Sequence, residues 1–336
     1  MTPGTETWAS VEWRAGALSW IDEQLAGAGI TRTGEVEQPH LRPWATLLTA
    51  PTTHGPVWLK ATGSGTAFEV GLYELLNRVV PEHVLTPIAT DVARGWLLLP
   101  DGGPLLADRV DGDGLVDALV AILPRYGQLQ RDLAPEADSL VALGVSDMRA
   151  AAMPMRFDQA LDAAGRYIDG IDGKATRAQV VACAEDFRSW CDQLATMPGP
   201  ASLDHNDLHP WNMFVTRLDP VEEVTFYDWG DAVVAHPFAC MLVPLGWVQR
   251  RLSVGAYDPQ ILRIRDAYLE VFGDMAPHAG LVEALELACR VGKVARALTW
   301  DRALEASPAD ELDEDYASAP LDCLRSLLDD SYLGGA

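Results

Sequence analysis

Basic residues are scarce in this 336-residue chain: 25 Lys and Arg stand against 49 Asp and Glu, a formal charge of −24. A field of that sign repels phosphate backbones and anionic headgroups, so neither nucleic acid nor a membrane surface is an expected partner. Long apolar runs are missing as well. None approaches the roughly 18 residues that a bilayer-spanning helix needs. Met1 to Trp8 lack the basic and then apolar pattern of a secretion signal, so a cytoplasmic location is expected. Cysteine is limited to Cys183, Cys191, Cys240, Cys289 and Cys323, with no CxxC or other metal-ligand spacing. Reduced, mostly buried thiols are expected. With 49% hydrophobic and 22% charged residues, the composition is that of a folded chain, and the length allows two lobes with cores of their own.

Apolar residues three or four apart, from Trp8 through Val11, Ala15, Leu18 and Ile21 to Leu25, predict a leading helix that ends at Gly27-Ala28-Gly29. Strand-like stretches follow over Ile30–Val36, Trp44–Ala50 and Val57–Lys60, with Pro51–Pro56 as a turn, and predict an antiparallel meander. A second helix is expected over Phe68–Val79, then strands near Leu85–Thr90 and Trp96–Leu99. The break Pro100-Asp101-Gly102-Gly103 divides the chain into an N-terminal lobe at 1–100 and a C-terminal lobe at 101–336. Beyond it the pattern is mainly helical: Leu115, Leu119, Ile122, Tyr126 and Leu129 form one apolar stripe, and Val180, Ala184, Phe187, Cys191 and Leu194 another. Leu140–Met155 reads as an irregular loop or lid, and Ala201–Tyr227 as a strand–loop–strand unit. No doubly wound βαβ alternation appears. The expected fold class is therefore α+β and bilobal, a small antiparallel sheet lobe followed by a larger helical one.

The chemistry-bearing stretch is Asp204-His205-Asn206-Asp207-Leu208-His209-Pro210-Trp211-Asn212, flanked by apolar strands. An Asp followed five positions later by an Asn on such a loop has the spacing of the kinase catalytic loop, where the Asp orients or deprotonates a hydroxyl and the Asn binds a metal. A second carboxylate, Asp228, ends the apolar strand Val224–Tyr227, where kinases place a Mg²⁺ ligand. Other readings fail on geometry. Gly63-Ser64-Gly65 follows Lys60, whereas a phosphate-cradling Walker loop needs its Lys after the glycines. His205 and His209 lie four apart, but Pro210 follows at once and H-E-x-x-H is missing, so they do not form a helical zinc pair.

His205 to Asn212 followed by Tyr227-Asp228-Trp229 resembles the aminoglycoside phosphotransferase and choline kinase-like family, whose catalytic loop reads roughly H-G-D-L-H-x-x-N and whose metal Asp sits in an I-D-W motif. The resemblance extends over most of the chain through the order of the lobes and implies a protein-kinase-like fold. It assigns Asp207 as catalytic base, Asn212 and Asp228 as Mg²⁺ ligands, and Lys60 to the phosphates of ATP or GTP, with Glu69 as the partner of Lys60 and Glu74 as its rival. The nucleotide is expected against the connection near Leu97–Asp101, with Leu99 and Asp101 in contact. His205 would brace the loop and His209 would reach the transferred phosphoryl group.

The chain departs from the family pattern in three places. Asn206 replaces the usual Gly; Asn is the next most tolerant residue if the backbone there needs positive φ. The first hairpin, at Gln38-Pro39-His40-Leu41-Arg42-Pro43, carries no Gly-rich loop. His236-Pro237-Phe238-Ala239-Cys240 lacks the acids of the family's D-P-x-x-D-L. The function implied is ATP- or GTP-dependent phosphorylation of a hydroxyl on a small molecule. A cationic acceptor of the aminoglycoside or amino-sugar type is suggested by the charge and by the acids Asp301, Glu305, Asp310, Glu311, Asp313, Glu314 and Asp315. The alternatives are a kinase for a neutral or choline-like acceptor, or a nucleotide-binding protein without turnover.

Overall fold

The computed structural model describes residues 4–166, 170–218, 221–304 and 314–334. By contacts the chain divides into two units. Residues up to Gly103 group with Thr225–Gly230 and with the segment from Arg302, and the remainder forms the second, larger unit. No described helix is long and apolar enough to cross a membrane.

In the first unit the predicted leading helix is two helices, α1 (Thr5–Ala9) and α2 (Val11–Gly27). They break at Ser10, whose hydroxyl accepts from the amide of Trp13 and so caps α2. Val11 is consequently 86% exposed and leaves the apolar stripe to Ala17, Trp20, Ile21 and Leu25. The five-stranded antiparallel sheet that follows has the order β1-β2-β3-β5-β4, built from β1 (Glu37–Leu41), β2 (Ala45–Thr52), β3 (Gly55–Thr62), β4 (Ala89–Asp91) and β5 (Trp96–Pro100).

The strand expected at Ile30–Val36 is not formed. Arg32 there is tied by its side chain to Asp22 and to the carbonyl of Gly34, and its backbone makes only a single bridge to Thr52. The first strand lies in the stretch that the sequence presented as a loop. It tolerates Pro39 because it is an edge strand whose outward groups need no partner. Pro51 and Pro56 pair within the β2–β3 ladder, so that turn narrows to Thr53 and His54. Strand β4 begins later than Leu85, whose carbonyl is taken by the Asn77 side chain. One face of the sheet, with Leu48, Leu59 and Leu98, packs into a cluster with Ala17, Trp20, Ile21 and Leu25 of α2. Strand alternation turns Trp58 and Lys60 to the other face. There Leu47 and Leu97 flank Lys60 in register. Helix α3 (Phe68–Val79), found where the periodicity placed it, buries Val70, Leu72, Tyr73, Leu75 and Leu76.

The second unit opens with α4 (Gly112–Leu133), whose buried Leu115, Leu119, Ile122, Tyr126 and Leu129 form the predicted stripe. The stretch Leu140–Met155 is irregular only in its turns, and its apolar side chains are packed rather than free as in a lid. It holds the end of α5 (Ala137–Ala142), the short strand β6 (Ser146–Asp147) and the start of α6 (Met153–Gly165). Leu140, Val145, Met148 and Met153 are all buried. The next stripe belongs to two helices, α7 (Gly170–Ala182) and α8 (Ala184–Leu194), separated at Cys183, whose thiol donates to the carbonyl of Val180. Strands β7 (Ser202–Asp204) and β10 (Val233–Ala235) complete a three-stranded sheet with β6 in the order β6-β10-β7, and β8 (Met213–Leu218) pairs with β9 (Val221–Phe226). Helices α9 (Leu242–Leu252), α10 (Pro259–Glu270), α11 (His278–Leu304) and α12 (Glu314–Arg325) follow. All five cysteines are free thiols, four of them buried.

Strand β7 leads into the 204–212 loop, and one side chain fixes it. Gln130 of α4 is fully buried; its amide nitrogen donates to the carbonyls of Leu203 (3.0 Å) and Pro237 (2.9 Å), and its amide oxygen accepts from Tyr268 (2.6 Å). Gln130→Leu removes one partner from each of those three groups in a place water does not reach, leaving Leu203 the Tyr126 hydroxyl and Tyr268 and Pro237 each other. It is expected to cost about 2–4 kcal/mol, read as a lowered urea midpoint; a loss below about 0.5 kcal/mol would show that the strand is held by other contacts.

Candidate active site

Two sets of side chains stand out, one in each unit. In the first, Lys60 on β3 extends its ammonium to Glu69 of α3 (2.8 Å to Oε1, 2.6 Å to Oε2) and to Asp228 (2.5 Å to Oδ1). Glu69 is fully buried and also accepts from the amide of Trp229 at 3.0 Å, which fixes its carboxylate from two directions. The rival, Glu74, instead lies 3.5 Å from the hydroxyl of Thr90. Burial alone lowers the pKa of Lys60, but the two carboxylates outweigh it and hold the ammonium charged. Asp228 has φ of 63°, a left-handed conformation that Asp adopts more readily than most residues, and its carboxylate is half exposed.

Leu99 lies opposite Trp58 in the β3–β5 ladder, so the two share the sheet face of Lys60. Asp101 is an exposed turn residue just past β5. Its carboxylate accepts from the amide of Gly103 at 2.6 Å, and its own amide donates to the carbonyl of Pro56.

The second set is the 204–212 loop. Asn206 has φ of 58°, so the residue standing in for the usual Gly does need the left-handed conformation that Asn tolerates. It is held on every side. Its amide donates to Oδ1 of Asp204 (2.7 Å), its side chain donates to the hydroxyl of Thr299 (2.8 Å), and its carbonyl accepts from Arg296. His205 is fully buried, and its amide donates to the hydroxyl of Tyr126 at 2.8 Å.

Asp207 follows with a quarter of its side chain exposed. Its Oδ1 lies 3.2 Å from Arg296, and its Oδ2 lies 3.2 Å from Nε2 of His209 and 3.3 Å from Nδ2 of Asn212. Burial pushes the Asp207 carboxyl up, but Arg296 and His209 overcome this and hold it below the usual carboxylate range. For His209 burial favours the neutral ring, and the bond to Asp207 more than offsets it, raising its pKa. Asn212 is buried, and its amide nitrogen also donates to the carbonyl of Asp207 at 2.9 Å. With the nitrogen engaged by the loop, the amide oxygen is the atom left for a cation.

These donors fit magnesium. The amide oxygen of Asn212 and the carboxylate of Asp228 are hard oxygen ligands, the class Mg²⁺ takes, and Mg²⁺ completes its shell with phosphate and water oxygens. Among the described residues there is no cluster of three or more His, Cys, Asp or Glu that would cage a metal without such help.

Residues 95–281, more than half of the chain, match the model of the phosphotransferase enzyme family. The chain belongs to that family. It is a small-molecule phosphotransferase with a hydroxyl acceptor. Solved structures agree on the protein-kinase-like fold. The phosphotransferase is 18% identical to macrolide 2′-phosphotransferase from Brachybacterium faecium, covering 90% of this chain and 98% of that one with a TM-score of 0.56. It is 10% identical to ethanolamine kinase from Plasmodium vivax, covering 95% and 90% with a TM-score of 0.64. It is 12% identical to spectinomycin phosphotransferase solved with ADP and spectinomycin, covering 93% and 94% with a TM-score of 0.51. No functionally curated protein matches the sequence.

Motif reading passed over Arg296, Thr299, Asp204 and Tyr126. Arg296 and Thr299 are buried residues of α11, about ninety positions from the loop they touch. Their one visible trace is a run of Arg290, Lys293, Arg296 and Thr299 at intervals of three in a helix otherwise rich in Ala, Val and Leu. Of the acids that suggested a cationic acceptor, Asp301 is ion-paired with Arg166. Glu305, Asp310, Glu311 and Asp313 lie outside the described residues, as do the side chains of Glu314 and Asp315.

Asp204 carries a pH signature. Burial pushes its pKa to about 7 against the lowering effects of the Asn206 amide and Arg296. An acid raised in the folded state holds its proton there while the unfolded chain ionises near pH 4. The contribution to stability is therefore full below about pH 4, falls as pH rises to about 7, and is level above. Asp204→Asn keeps an acceptor for the Asn206 amide and removes the ionisation. Its stability relative to wild type is expected to improve by a few kcal/mol between about pH 4.5 and 8; urea unfolding showing the same difference at both values would refute it.

Proposed function

We propose that the protein transfers the γ-phosphoryl group of ATP or GTP to a hydroxyl of a small cationic molecule. The observation that carries this reading is the Lys60 ammonium, kept charged by Glu69 and Asp228 on the face of β3 turned away from α2. A cation so placed binds the donor's phosphates, and Glu69 fixes its direction before the donor arrives. Bound Mg²⁺ would neutralise charge on the β- and γ-phosphoryl oxygens. Asn212 and Asp228 would hold it, with the Asn212 amide already turned by its bonds to Asp207.

Asp207 orients the acceptor hydroxyl and takes its proton. Each carboxylate oxygen has about two acceptor sites, so Oδ1, engaged by Arg296, keeps one for that hydroxyl. A carboxylate held this acidic is a weak base. That suits a transfer whose loose transition state asks mainly for positioning and charge stabilisation. His209, drawn toward its protonated form by Asp207, supplies a donor for the transferred group. Leu99 supports the base of the nucleotide from the sheet face it shares with Lys60, and Asp101 marks the end of that surface. The spectinomycin phosphotransferase complex with ADP is consistent with a nucleotide donor.

A cationic acceptor is supported by the charge of −24, whose field raises the local concentration of positive molecules. A location in the cytoplasm follows from the nucleotide donor.

The direct test is a screen of amino and hydroxy acceptors for nucleoside diphosphate release with and without Mg²⁺. In that assay Asp207→Ala is expected to lose a factor of about 10²–10⁴ in turnover while nucleotide affinity stays nearly unchanged; retention of more than about a tenth would rule out its role. Asp228→Ala should differ, because the Mg²⁺-dependent part of nucleotide affinity falls together with activity. For a cationic acceptor kcat/KM should decline from low salt to about 0.15 M, where charges are screened beyond about 8 Å. A preferred neutral acceptor with no salt effect would reject the cationic class and leave phosphotransfer standing.

A further inference from the structure

Helix α11 presents Arg290, Lys293, Arg296 and Thr299 at intervals of three, a spacing that sets each side chain beside the next while the set winds around the helix. The first two hold the C-terminal segment. Arg290 donates to the carbonyls of Asp329 (3.1 Å) and Asp330 (2.7 Å), and Lys293 to those of Ser326 (2.8 Å) and Ser331 (3.0 Å). The other two hold the 204–212 loop. Arg296 donates to the carbonyl of Asn206 and pairs with Asp207 at 3.2 Å and Asp231 at 3.8 Å, while Thr299 accepts from the Asn206 side chain at 2.8 Å. Arg296 is 9% exposed and Thr299 3%.

We propose that Arg296 is the positioning residue for Asp207, and that with Thr299 it keeps the Asn206–Asp207 peptide in the orientation phosphoryl transfer needs. The left-handed backbone of Asn206 fixes where its carbonyl points, and that carbonyl is met by the guanidinium that also meets Asp207 Oδ1. One rigid, planar group with several donors thus sets both the peptide plane and the carboxylate that follows it, which a single flexible ammonium does less well. The arrangement is built from buried contacts within the second unit and from a helix anchored one to two turns away by Arg290 and Lys293 to the C-terminal segment. It therefore exists before any substrate binds. Because a displacement of about 1 Å in a reacting group can cost about 10²-fold in rate, the consequence falls on turnover rather than on donor binding.

The kinetic arm of the test rests on the phosphotransfer reading and uses the acceptor that the screen identifies; the structural arm does not. Arg296→Met is expected to lower kcat by about 10²-fold, with nucleotide affinity within about twofold of wild type. Arg296→Lys should recover only part of that loss, and guanidinium added to Arg296→Met should raise kcat without changing KM for the nucleotide. Thr299→Val, nearly isosteric, should fold normally and lose about 2–10-fold in kcat, the worth of one hydrogen bond. Hydrogen exchange of peptides spanning 204–212 should quicken in these variants while that of α4 stays as in wild type.

Unchanged exchange of the loop in both Arg296→Met and Thr299→Val overturns the proposal, as does wild-type kcat in either. A drop in kcat that guanidinium leaves untouched, with α4 exchanging faster as well, reduces Arg296 to a general stabiliser and overturns it too. If Arg296→Met does not fold, Arg296→Lys and Thr299→Val decide by the same criteria. Should wild type turn over no acceptor, the phosphotransfer reading fails, while the exchange data still settle whether Arg296 and Thr299 hold the loop.

Discussion

Burying the Lys60 ammonium carries a desolvation penalty of several kcal/mol unless negative groups answer it. Two carboxylates within 2.5–2.8 Å do so. Much of the first unit serves that arrangement. The opposite sheet face is packed on α2, so β3 is held in place and Lys60 is left on the free face. Glu69 sits in the first turn of α3, fully buried, where the helix N-terminus favours a negative charge. The left-handed Asp228, two residues past β9, brings the second carboxylate to the same nitrogen. A charge placed this way is fixed in protonation and in direction, which is what recognition of a polyphosphate requires.

The second unit solves the converse problem with Asp207, an anion that must remain ionised yet keep room for a substrate. Arg296 and His209 supply the opposing charge, and Asn212 a neutral donor. None closes the site, since a quarter of the Asp207 side chain stays exposed. The chain lacks the acids that the family pattern places after the metal Asp, where it has His236-Pro237-Phe238-Ala239-Cys240. Those residues are buried, and His236, its pKa lowered to about 4 by burial, makes local contacts with Pro198 and Phe238. Support for the loop comes instead from α4 through Tyr126 and from α11 through Arg296 and Thr299.

What could be read from the sequence follows the range of the forces involved. Helix α3 and the stripe of α4 were legible because helical periodicity is local and each buries one continuous face. That Asn206 could take positive φ was legible from the Asn that replaces Gly within one motif, and the structure adopts it. Strand β1 was not, because Pro39 marks a breaker in a local reading and only the sheet order reveals an edge that accommodates it. Glu69 was preferred over Glu74 only by its spacing to the end of the helix, since both lie on one helix within a few residues of each other, and its contact with Lys60 gives that preference a physical basis. Arg296 was beyond a local reading altogether. A buried arginine in an apolar helix resembles an exposed one until its partners, ninety residues earlier, are known.

The strain in both sets of residues supports the same interpretation. Four described non-glycine residues have positive φ, and two of them, Asn206 and Asp228, belong to the loop and to the Lys60 cluster. Such conformations cost on the order of 1–3 kcal/mol and persist only where surrounding contacts over-determine them. At Asn206 those contacts are a carboxyl from β7 and a hydroxyl and a guanidinium from α11; at Asp228 the carboxylate is bound by the buried ammonium. A fold selected for stability alone would place glycine at both positions and an apolar residue in place of Arg296. Retaining the strained backbone and the buried charges makes sense where their product is direction: a carboxylate and an amide oxygen aimed before the substrates arrive, so that little of the binding energy is spent on ordering them.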